Sequence, residues 1–174
     1  FDSFLDETLE AWWDARAGVI DELRNIPADQ WDFRPTPEMR SVEELAVHIL
    51  EVAMMLTGEL TRPDTNLHRT AWPKLLRKYA KPAYRAKGKR ELVKLLRSQF
   101  RDADRAFREA GTLELYQWME RFDGELGTKL QWLHHGIAQE MYHRGQLTVY
   151  ARLLGLEPAL TQRIAGRSRR HHKR

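Results

Sequence analysis

The sequence predicts an all-helical chain, a four-helix bundle with long connections between its helices. Four long stretches carry apolar residues at the spacing that places them on one face of a helix. Two of these stretches begin with the pattern of a capping box, Ser41 with Glu44 and Thr128 with Gln131. The sequence contains no strand-like alternation, no glycine-rich phosphate loop and no nucleophile elbow. With 174 residues, the chain is long enough to bury a hydrophobic core as one domain.

Prolines, glycines and the two capping boxes predict where each helix begins and ends. Pro27 follows the first helix, Pro73 begins a short one, and Gly155 follows the last. The predicted helices cover residues 3–25, 41–60, 73–79, 89–110 and 128–154, and the segments between them, including 111–127, are predicted to be irregular. We expect residues 1–160 to form one domain and residues 161–174 to form a flexible basic tail.

Composition limits the chemistry that the chain can perform. It has no cysteine, which excludes disulfides, thiolate metal ligands and a thiol nucleophile of its own. No apolar run reaches the roughly 20 residues of a membrane span, so we expect a cytoplasmic protein without membrane contact. Residues 163–174 hold six of the 29 basic residues and no acidic one, which leaves the rest of the chain slightly acidic. We therefore expect no nucleic-acid contact beyond a weak one through this tail.

The last predicted helix carries a row of polar residues along one face. These residues are His135, Gln139, His143, Gln146 and Tyr150. Histidines four residues apart are a common way to hold a divalent ion, but His135 and His143 are eight apart, about 12 Å along the axis, and cannot share one. His48 lies at the flank of the second helix's apolar stripe. By itself it is either a hydrogen-bonded core residue or a metal ligand.

Two segments carry a resemblance to a known family. Residues 139–147 read QEMYHRGQL and are followed by Tyr150 and Gly155, and residues 40–49 read RSVEELAVHI. In order and spacing these segments resemble the motifs of the DinB/YfiT-like family over roughly residues 2–160. The resemblance implies a four-helix bundle of that family's type and a divalent-metal-dependent enzyme.

The family's usual metal ligands are one histidine on the second helix and a histidine pair on the last. His48 and His143 match two of these positions, and Gln139 stands where the third histidine is typical. The resemblance thus implies His48, Gln139 and His143 as ligands of a zinc, nickel, manganese or iron ion. A glutamine amide is neutral and a poor donor for zinc or nickel, so this substitution is expected to weaken the site.

Other residues near the expected site have two interpretations each. Glu44 and Glu51, one turn either side of His48, either donate a carboxylate or form a solvated charged flank. Gln146 and Tyr150 either orient a substrate or water or simply pack. For Arg144, on another side of the helix, we expect an ion pair or an interface contact. The sequence singles out no catalytic residue.

The resemblance implies a reaction in which the ion presents a low-molecular-weight thiol, such as bacillithiol, mycothiol or glutathione, to an electrophilic small molecule. Such an enzyme is an S-transferase or an isomerase, and a hydrolase would use the same open position to activate water. One alternative is a metal-free binding or scaffolding bundle in which Gln139 marks the loss of the site. Another is a DNA-associated protein acting through the basic tail. Relatives of this type commonly pair, so we expect a homodimer.

Overall fold

Helices dominate the computed structural model, which describes residues 3–171 and their side chains as far as Gly166. The helices are α1 (Phe4–Asn25), α2 (Val42–Leu60), α3 (Trp72–Tyr79), α4 (Lys81–Arg85), α5 (Gly88–Ala110), α6 (Thr112–Leu115), α7 (Lys129–Leu153) and α8 (Ala159–His171), with single 3-10 turns at Ala28–Gln30 and Leu67–Arg69. The predicted bundle of four long helices is confirmed. Within the described range, no helix is both long and apolar enough to cross a membrane.

The predicted helix starts are explained by side-chain capping. Glu44 N–H donates to Ser41 Oγ at 3.2 Å, and Ser41 N–H donates to Glu44 Oε2 at 2.7 Å, so the capping box at α2 is complete. At α7, Gln131 N–H donates to Thr128 Oγ1 at 3.1 Å. After α7, Gly155 has a φ of 76°, which favours glycine and ends the helix as predicted.

The segment predicted to be irregular between α5 and α7 contains a β-hairpin. Strand β1 (Trp118–Glu120) pairs antiparallel with β2 (Leu126–Thr128), and Gly124, with a φ of 85°, lies in the turn. The expectation of a chain without strands was therefore wrong at this point. Each strand is three residues long, too short for an alternating pattern to be visible in the sequence.

The four long helices pack with two parallel neighbouring pairs. One apolar cluster contains Trp12 and Phe107, and a second contains Ile20 and Ile49. Along the chain, α1 and α7 pass from the first cluster to the second, whereas α2 and α5 pass from the second to the first. Because α1 and α2 each pack against both α5 and α7, they lie at opposite corners of the bundle. The long segment between α2 and α5 is needed because two parallel neighbours cannot be joined by a short turn.

The segment after α7 is anchored rather than free where it begins. Glu22 of α1 is fully buried, and its carboxylate accepts hydrogen bonds from the backbone N–H groups of Ala159 (2.9 Å) and Leu160 (3.1 Å). A carboxylate at a helix N-terminus accepts hydrogen bonds from the free N–H groups, and its negative charge interacts favourably with the positive end of the helix dipole. Residues 161–171 of the expected flexible tail are thus helical, as part of α8, and residues 172–174 lie outside the described range.

A buried ion pair connects the four long helices between the two apolar clusters. Arg16 of α1 is fully buried and donates to both carboxylate oxygens of Glu140 of α7, at 2.6 and 2.8 Å. Arg16 also donates to Leu96 O (2.7 Å) and Gln99 Oε1 (2.8 Å) on α5. Gln99 continues the network by donating to Thr57 Oγ1 of α2 at 3.2 Å. Four of the five guanidinium N–H donors are therefore satisfied inside the core.

A second buried carboxylate holds the connection after α2. Glu59 is fully buried and accepts hydrogen bonds from Arg69 Nη1 (2.7 Å) and the Tyr79 hydroxyl (2.5 Å). Burial is the largest influence on the pKa of Glu59 and raises it, but the hydrogen bonds from Arg69 and Tyr79 together outweigh it. The pKa of this carboxyl is therefore lowered in the folded protein.

Replacing Glu140 by alanine is expected to destabilise the fold by about 3–5 kcal/mol, because Arg16 would remain charged and buried without its partner. Urea denaturation measures the change. The double variant Arg16→Met/Glu140→Met should recover much of the loss, and Glu10→Ala, at an exposed site on α1, should have little effect. A small loss in Glu140→Ala would contradict a structural role for the pair.

Glu59→Gln is expected to lower stability at neutral pH and to flatten its decline in acid. The pKa of Glu59 lies below its ordinary value of 4.5 in the fold, so its stabilisation is present above that value and lost as pH falls through the folded pKa. Thermal melts between about pH 7 and pH 3 would show the wild type and variant converging at low pH. The exposed variant Glu125→Gln should instead follow the wild type throughout.

Candidate metal site between α2 and α7

The two histidines predicted as ligands meet where α2 and α7 pack together. The ring centroids of His48 and His143 lie 5.1 Å apart, with the rings nearly perpendicular at 83°. Two turns away, a Cβ built on Gly136 would lie 2.2 Å from Leu56 Cδ1, so a larger residue here would force the Leu56 side chain to move. Together the two contacts turn the face of α7 that includes residues 136, 139 and 143 towards α2.

Each histidine is held through the same ring nitrogen. His48 Nδ1 lies 2.9 Å from Glu51 Oε1, and His143 Nδ1 lies 2.7 Å from Gln146 Oε1. An ionised carboxylate can only accept a hydrogen bond, and the same is true of the glutamine side-chain oxygen. The ring nitrogen must therefore be the donor in each pair, so both Nδ1 atoms carry the proton. In the neutral tautomer the lone pair is then on Nε2. Histidine ligands of metals are held in this way by an acceptor on the second nitrogen.

Burial favours the neutral form of His143. Its loss of solvent is the main cause of a lowered pKa, and the neighbouring His48 and Arg40 lower the pKa further, while the bond to Gln146 opposes the change. The pKa of Glu51 is lowered as well, because hydrogen bonds from His48 and Tyr84 outweigh the effect of its burial. Neutral imidazole is the form that binds a metal ion.

The separation of the two rings fits a shared ion. With metal–nitrogen bonds of about 2.0–2.1 Å, two imidazoles in a tetrahedral site have centroids about 5 Å apart. The observed separation of 5.1 Å equals this value. An edge-to-face contact between aromatic rings has a similar separation, so distance alone does not distinguish a metal pair from ring packing.

Gln139 adds a polar group without a protein partner. Both Oε1 and Nε2 of its side chain are buried and have no hydrogen bond to any described residue. Each such group costs about 1–3 kcal/mol, and buried polar atoms of this kind typically interact with an ion or an ordered water. Gln139 lies one turn before His143 on the same face of α7. Two imidazoles and one amide oxygen therefore fit a divalent ion, with weaker donors than three imidazoles would provide.

The nearby glutamates are engaged elsewhere. Glu51 bonds His48 and accepts from the Tyr84 hydroxyl at 2.8 Å, so it is not a solvated flank. Glu44 caps α2 and pairs with Arg34 at 3.2 Å. Among the described residues, no group of three or more histidine, cysteine, aspartate or glutamate side chains is placed to hold a metal ion. Gln139 is therefore our candidate for a third protein ligand.

The remaining residues of the polar row serve structural contacts. His135 is exposed and stacks on Trp132 at 4.7 Å. The Tyr150 hydroxyl donates to Arg40 O at 2.8 Å, which fits packing rather than substrate contact.

Arg144 is buried against Gly18 of α1, where a Cβ built on the glycine would lie 2.3 Å from the guanidinium carbon of Arg144. The ion pair expected for Arg144 is not found within the described residues, and its Nε has no partner there.

A charged cavity of about 540 Å³ opens beside the site. His48, Glu51 and Tyr84 line one part of it, and Arg40 and Lys87 line another, whereas His143 and Gln139 do not take part. The cavity therefore reaches the outer edge of the histidine pair. Tyr84 was not singled out from the sequence. Burial and its bond to Glu51 raise the pKa of Tyr84 to about 12, so it remains a hydrogen-bond donor at neutral pH.

Comparisons with known proteins show the family to which this chain belongs. The family model of the DinB family matches residues 2–167, so the chain belongs to the DinB family. No significant match was found among curated proteins.

Solved structures share the fold at low sequence identity. A DinB-like protein, YjoA of Bacillus subtilis, is 19% identical, with a TM-score of 0.65 over 86% of this chain and 92% of its own. YfiT of Bacillus subtilis, described as a probable metal-dependent hydrolase with an unusual four-helix bundle topology, is 16% identical, with a TM-score of 0.65 over 90% and 93%. A mycothiol-dependent maleylpyruvate isomerase is 15% identical, with a TM-score of 0.66 over 84% of this chain and 61% of its own. Such likenesses show the fold alone.

Proposed function

We propose that this DinB-family protein is a divalent-metal-dependent enzyme whose ion is held by His48, His143 and Gln139. The observation that carries the proposal is the pairing of the two histidines across α2 and α7, with both Nδ1 atoms bonded to fixed acceptors. This arrangement leaves the Nε2 lone pair of each ring free to bind an ion. The unpartnered amide of Gln139, one turn away, supports the same interpretation.

The chain's own residues orient the site rather than perform the chemistry. Glu51 and Gln146 fix the tautomer and rotation of the two imidazoles, and burial keeps His143 neutral. Gln139 provides an oxygen donor without charge. When bound, the ion would lower the pKa of a coordinated thiol or water and so supply a nucleophile at neutral pH.

A thiol nucleophile has to come from outside the protein. The chain has no cysteine, so a thiol would belong to a small molecule such as mycothiol, bacillithiol or glutathione, which then attacks an electrophilic substrate as in an S-transferase or isomerase. The alternative nucleophile is water, as in a hydrolase. One solved relative in the comparisons is described as mycothiol-dependent and another as a probable metal-dependent hydrolase.

A metal-free binding or scaffolding bundle is the second candidate. One observation in its favour is the neutral Gln139 at the position where a third imidazole would give a strong metal site. The other is the distance between the His48 and His143 rings, which direct packing of two aromatic rings also produces. In that case the row of polar residues on α7 would be a remnant without a ligand. Metal binding distinguishes the two candidates.

Restoring the third imidazole by Gln139→His is expected to raise the affinity for zinc, nickel or manganese at least tenfold. The wild type should bind weakly, because an amide replaces an imidazole, and the helix already presents position 139 one turn from His143. His48→Ala should abolish binding in both backgrounds. Isothermal titration with each metal measures these differences.

The control is His134→Ala, which removes an exposed imidazole from the same helix and should leave binding unchanged. If Gln139→His binds no better than the wild type, position 139 does not reach an ion held by His48 and His143, and the scaffolding candidate is favoured. Where binding is found, turnover assays with a small thiol or with water alone would identify the nucleophile.

We also propose that the protein forms a homodimer through the outer face of α7. This face is exposed and largely apolar, with Ala138, Met141, Tyr142, Gly145, Val149 and Leu153, and it is flanked by the exposed His134 and Arg152. A Cβ on Gly145 would have no atom of the chain within 4 Å, so a second α7 can approach closely at this point. Exposed apolar faces of this length are commonly interfaces.

Val149→Asp is therefore expected to convert a dimer into a monomer, because a charge would be buried at the centre of the face. Light scattering at micromolar concentration gives the mass of each form. Leu113→Asp introduces the same charge at a site that is 78% exposed and outside this face, and should leave the dimer intact. A wild-type protein of monomer mass would remove the proposal.

A further inference from the structure

A row of basic side chains runs along the outer face of α5. The residues Arg90, Lys94, Arg97, Arg101, Arg105 and Arg108 follow each other at intervals of three or four. This spacing places all six on one side of the helix, over a length of about 27 Å. All of them except Arg97, which is half-buried, are exposed.

Two furrows follow this row and meet at Arg97. One, of about 1030 Å³, lies along α1 and α5 and is lined by Trp13 and Phe100 together with Arg97 and Arg101. The other, of about 660 Å³, lies at the start of α5 and includes Arg24, Lys87 and Lys89. We call the two together the α1–α5 furrow.

Charge is distributed unevenly between this furrow and the rest of the molecule. Nine basic side chains line it against three acidic ones, Glu91, Asp104 and Glu109. The whole chain has a net charge of only +4, so the rest of the protein is net negative. The small total charge hides a strongly positive surface on the fold itself, which the sequence had led us to expect only in the tail.

Much of this positive charge is uncompensated within the described residues. Arg108 pairs with Asp6 and Asp104, and Arg105 lies 3.5 Å from Asp102. By contrast, Lys94, Arg97 and Arg101 form no ion pair in the described part of the chain, and Arg97 Nε is buried without a hydrogen-bond partner. Like charges held this close repel one another, and an anion along the furrow would offset that repulsion.

One aromatic ring at the floor of the furrow is open to solvent. Trp13 of α1 is 42% exposed, whereas Phe100 beside it is buried. Its ring lies 5.0 Å from the ring of Phe100 at an angle of 46°, which fixes its orientation. A large ring at the floor of a positively charged channel is the pattern on which single-stranded nucleic acids bind, with bases on aromatic faces and phosphates on basic side chains.

We propose that the α1–α5 furrow binds single-stranded nucleic acid, with phosphates along the α5 arginines and a base stacked on Trp13. A flat anionic membrane would not enter a concave furrow, and the row has no apolar residues to insert into lipid. An acidic peptide would satisfy the charges but supply no ring for Trp13. The furrow lies on the edge of the bundle opposite the α2–α7 pair that carries His48 and His143. Binding there is independent of the metal site.

The test uses the full-length protein and fluorescently labelled oligonucleotides, dT and rU twelve-mers, titrated by anisotropy at several salt concentrations. Lys94→Gln/Arg97→Gln/Arg101→Gln removes three charges from the furrow. Lys74→Gln/Arg77→Gln/Lys81→Gln removes three exposed charges from α3 and α4 and is the matched control. Both variants keep the basic tail, so binding through the tail alone would be equal in the two. Comparing dT with rU shows whether the sugar matters.

The furrow variant is expected to bind at least tenfold more weakly at low salt. The slope of the logarithm of its affinity against the logarithm of salt concentration should be shallower by about two, because each of the three lost phosphate contacts contributes about 0.7 to that slope. The α3–α4 variant should bind like the wild type. Trp13→Leu should weaken binding at least about fivefold without changing the slope, since it removes stacking and no charge.

Three results would overturn the proposal. The first is equal loss in the two triple variants, and the second is no binding by the wild type. The third is binding of poly-glutamate or of anionic phosphatidylserine vesicles as tight as that of the oligonucleotides, with Trp13→Leu unchanged, which would identify a general anionic partner.

Discussion

The bidentate pair between Arg16 and Glu140 is the constraint on which the arrangement of the bundle depends. It lies between the two apolar clusters, and through Gln99 it reaches all four long helices. Sliding any of these helices by one turn would leave a buried charge or amide without a partner, at a cost of several kcal/mol. Apolar side chains alone tolerate such slips more easily. This buried polar network therefore selects one register of the helices. That register sets how far along the bundle axis each residue of α7 lies.

The position of the candidate metal site follows from this register. Glu140 points to α1, so its neighbours Gln139 and His143 turn towards α2 and His48. Gly136 allows α7 to approach Leu56 closely, and the two imidazoles meet as a result. The third side of α7, around Gly145 and Val149, stays uncovered. One helix thus divides its faces between the core, the candidate site and the proposed interface.

The features that could be predicted from the sequence are those that depend on neighbouring residues. Contacts between residues far apart in the chain could rarely be predicted. Helix bounds, the capping box at Ser41 and the helical end at Gly155 require only neighbouring residues. The ion pair of Arg16 and Glu140 joins residues 124 positions apart, and Glu22 meets Ala159 over 137 positions, so no local signal exists for either. The ligand positions came from resemblance to the family. Trp13 is exposed because the apolar stripe on α1 is broad and the furrow leaves one edge of it open. Net charge hid the α5 row because a sum carries no information about position.

The parallel packing of α1 against α7 has a consequence for how the chain matures. Residues leave the ribosome in order, yet α1 packs against α5, α7 and α8, all of which follow at least 60 residues later. The first helix therefore emerges with Leu9 and Trp12 uncovered and with Arg16 lacking its carboxylate. Contacts this distant along the chain slow folding and prolong the exposure of apolar surface. During synthesis this helix therefore waits with its apolar side uncovered, although half of its residues are buried in the finished fold.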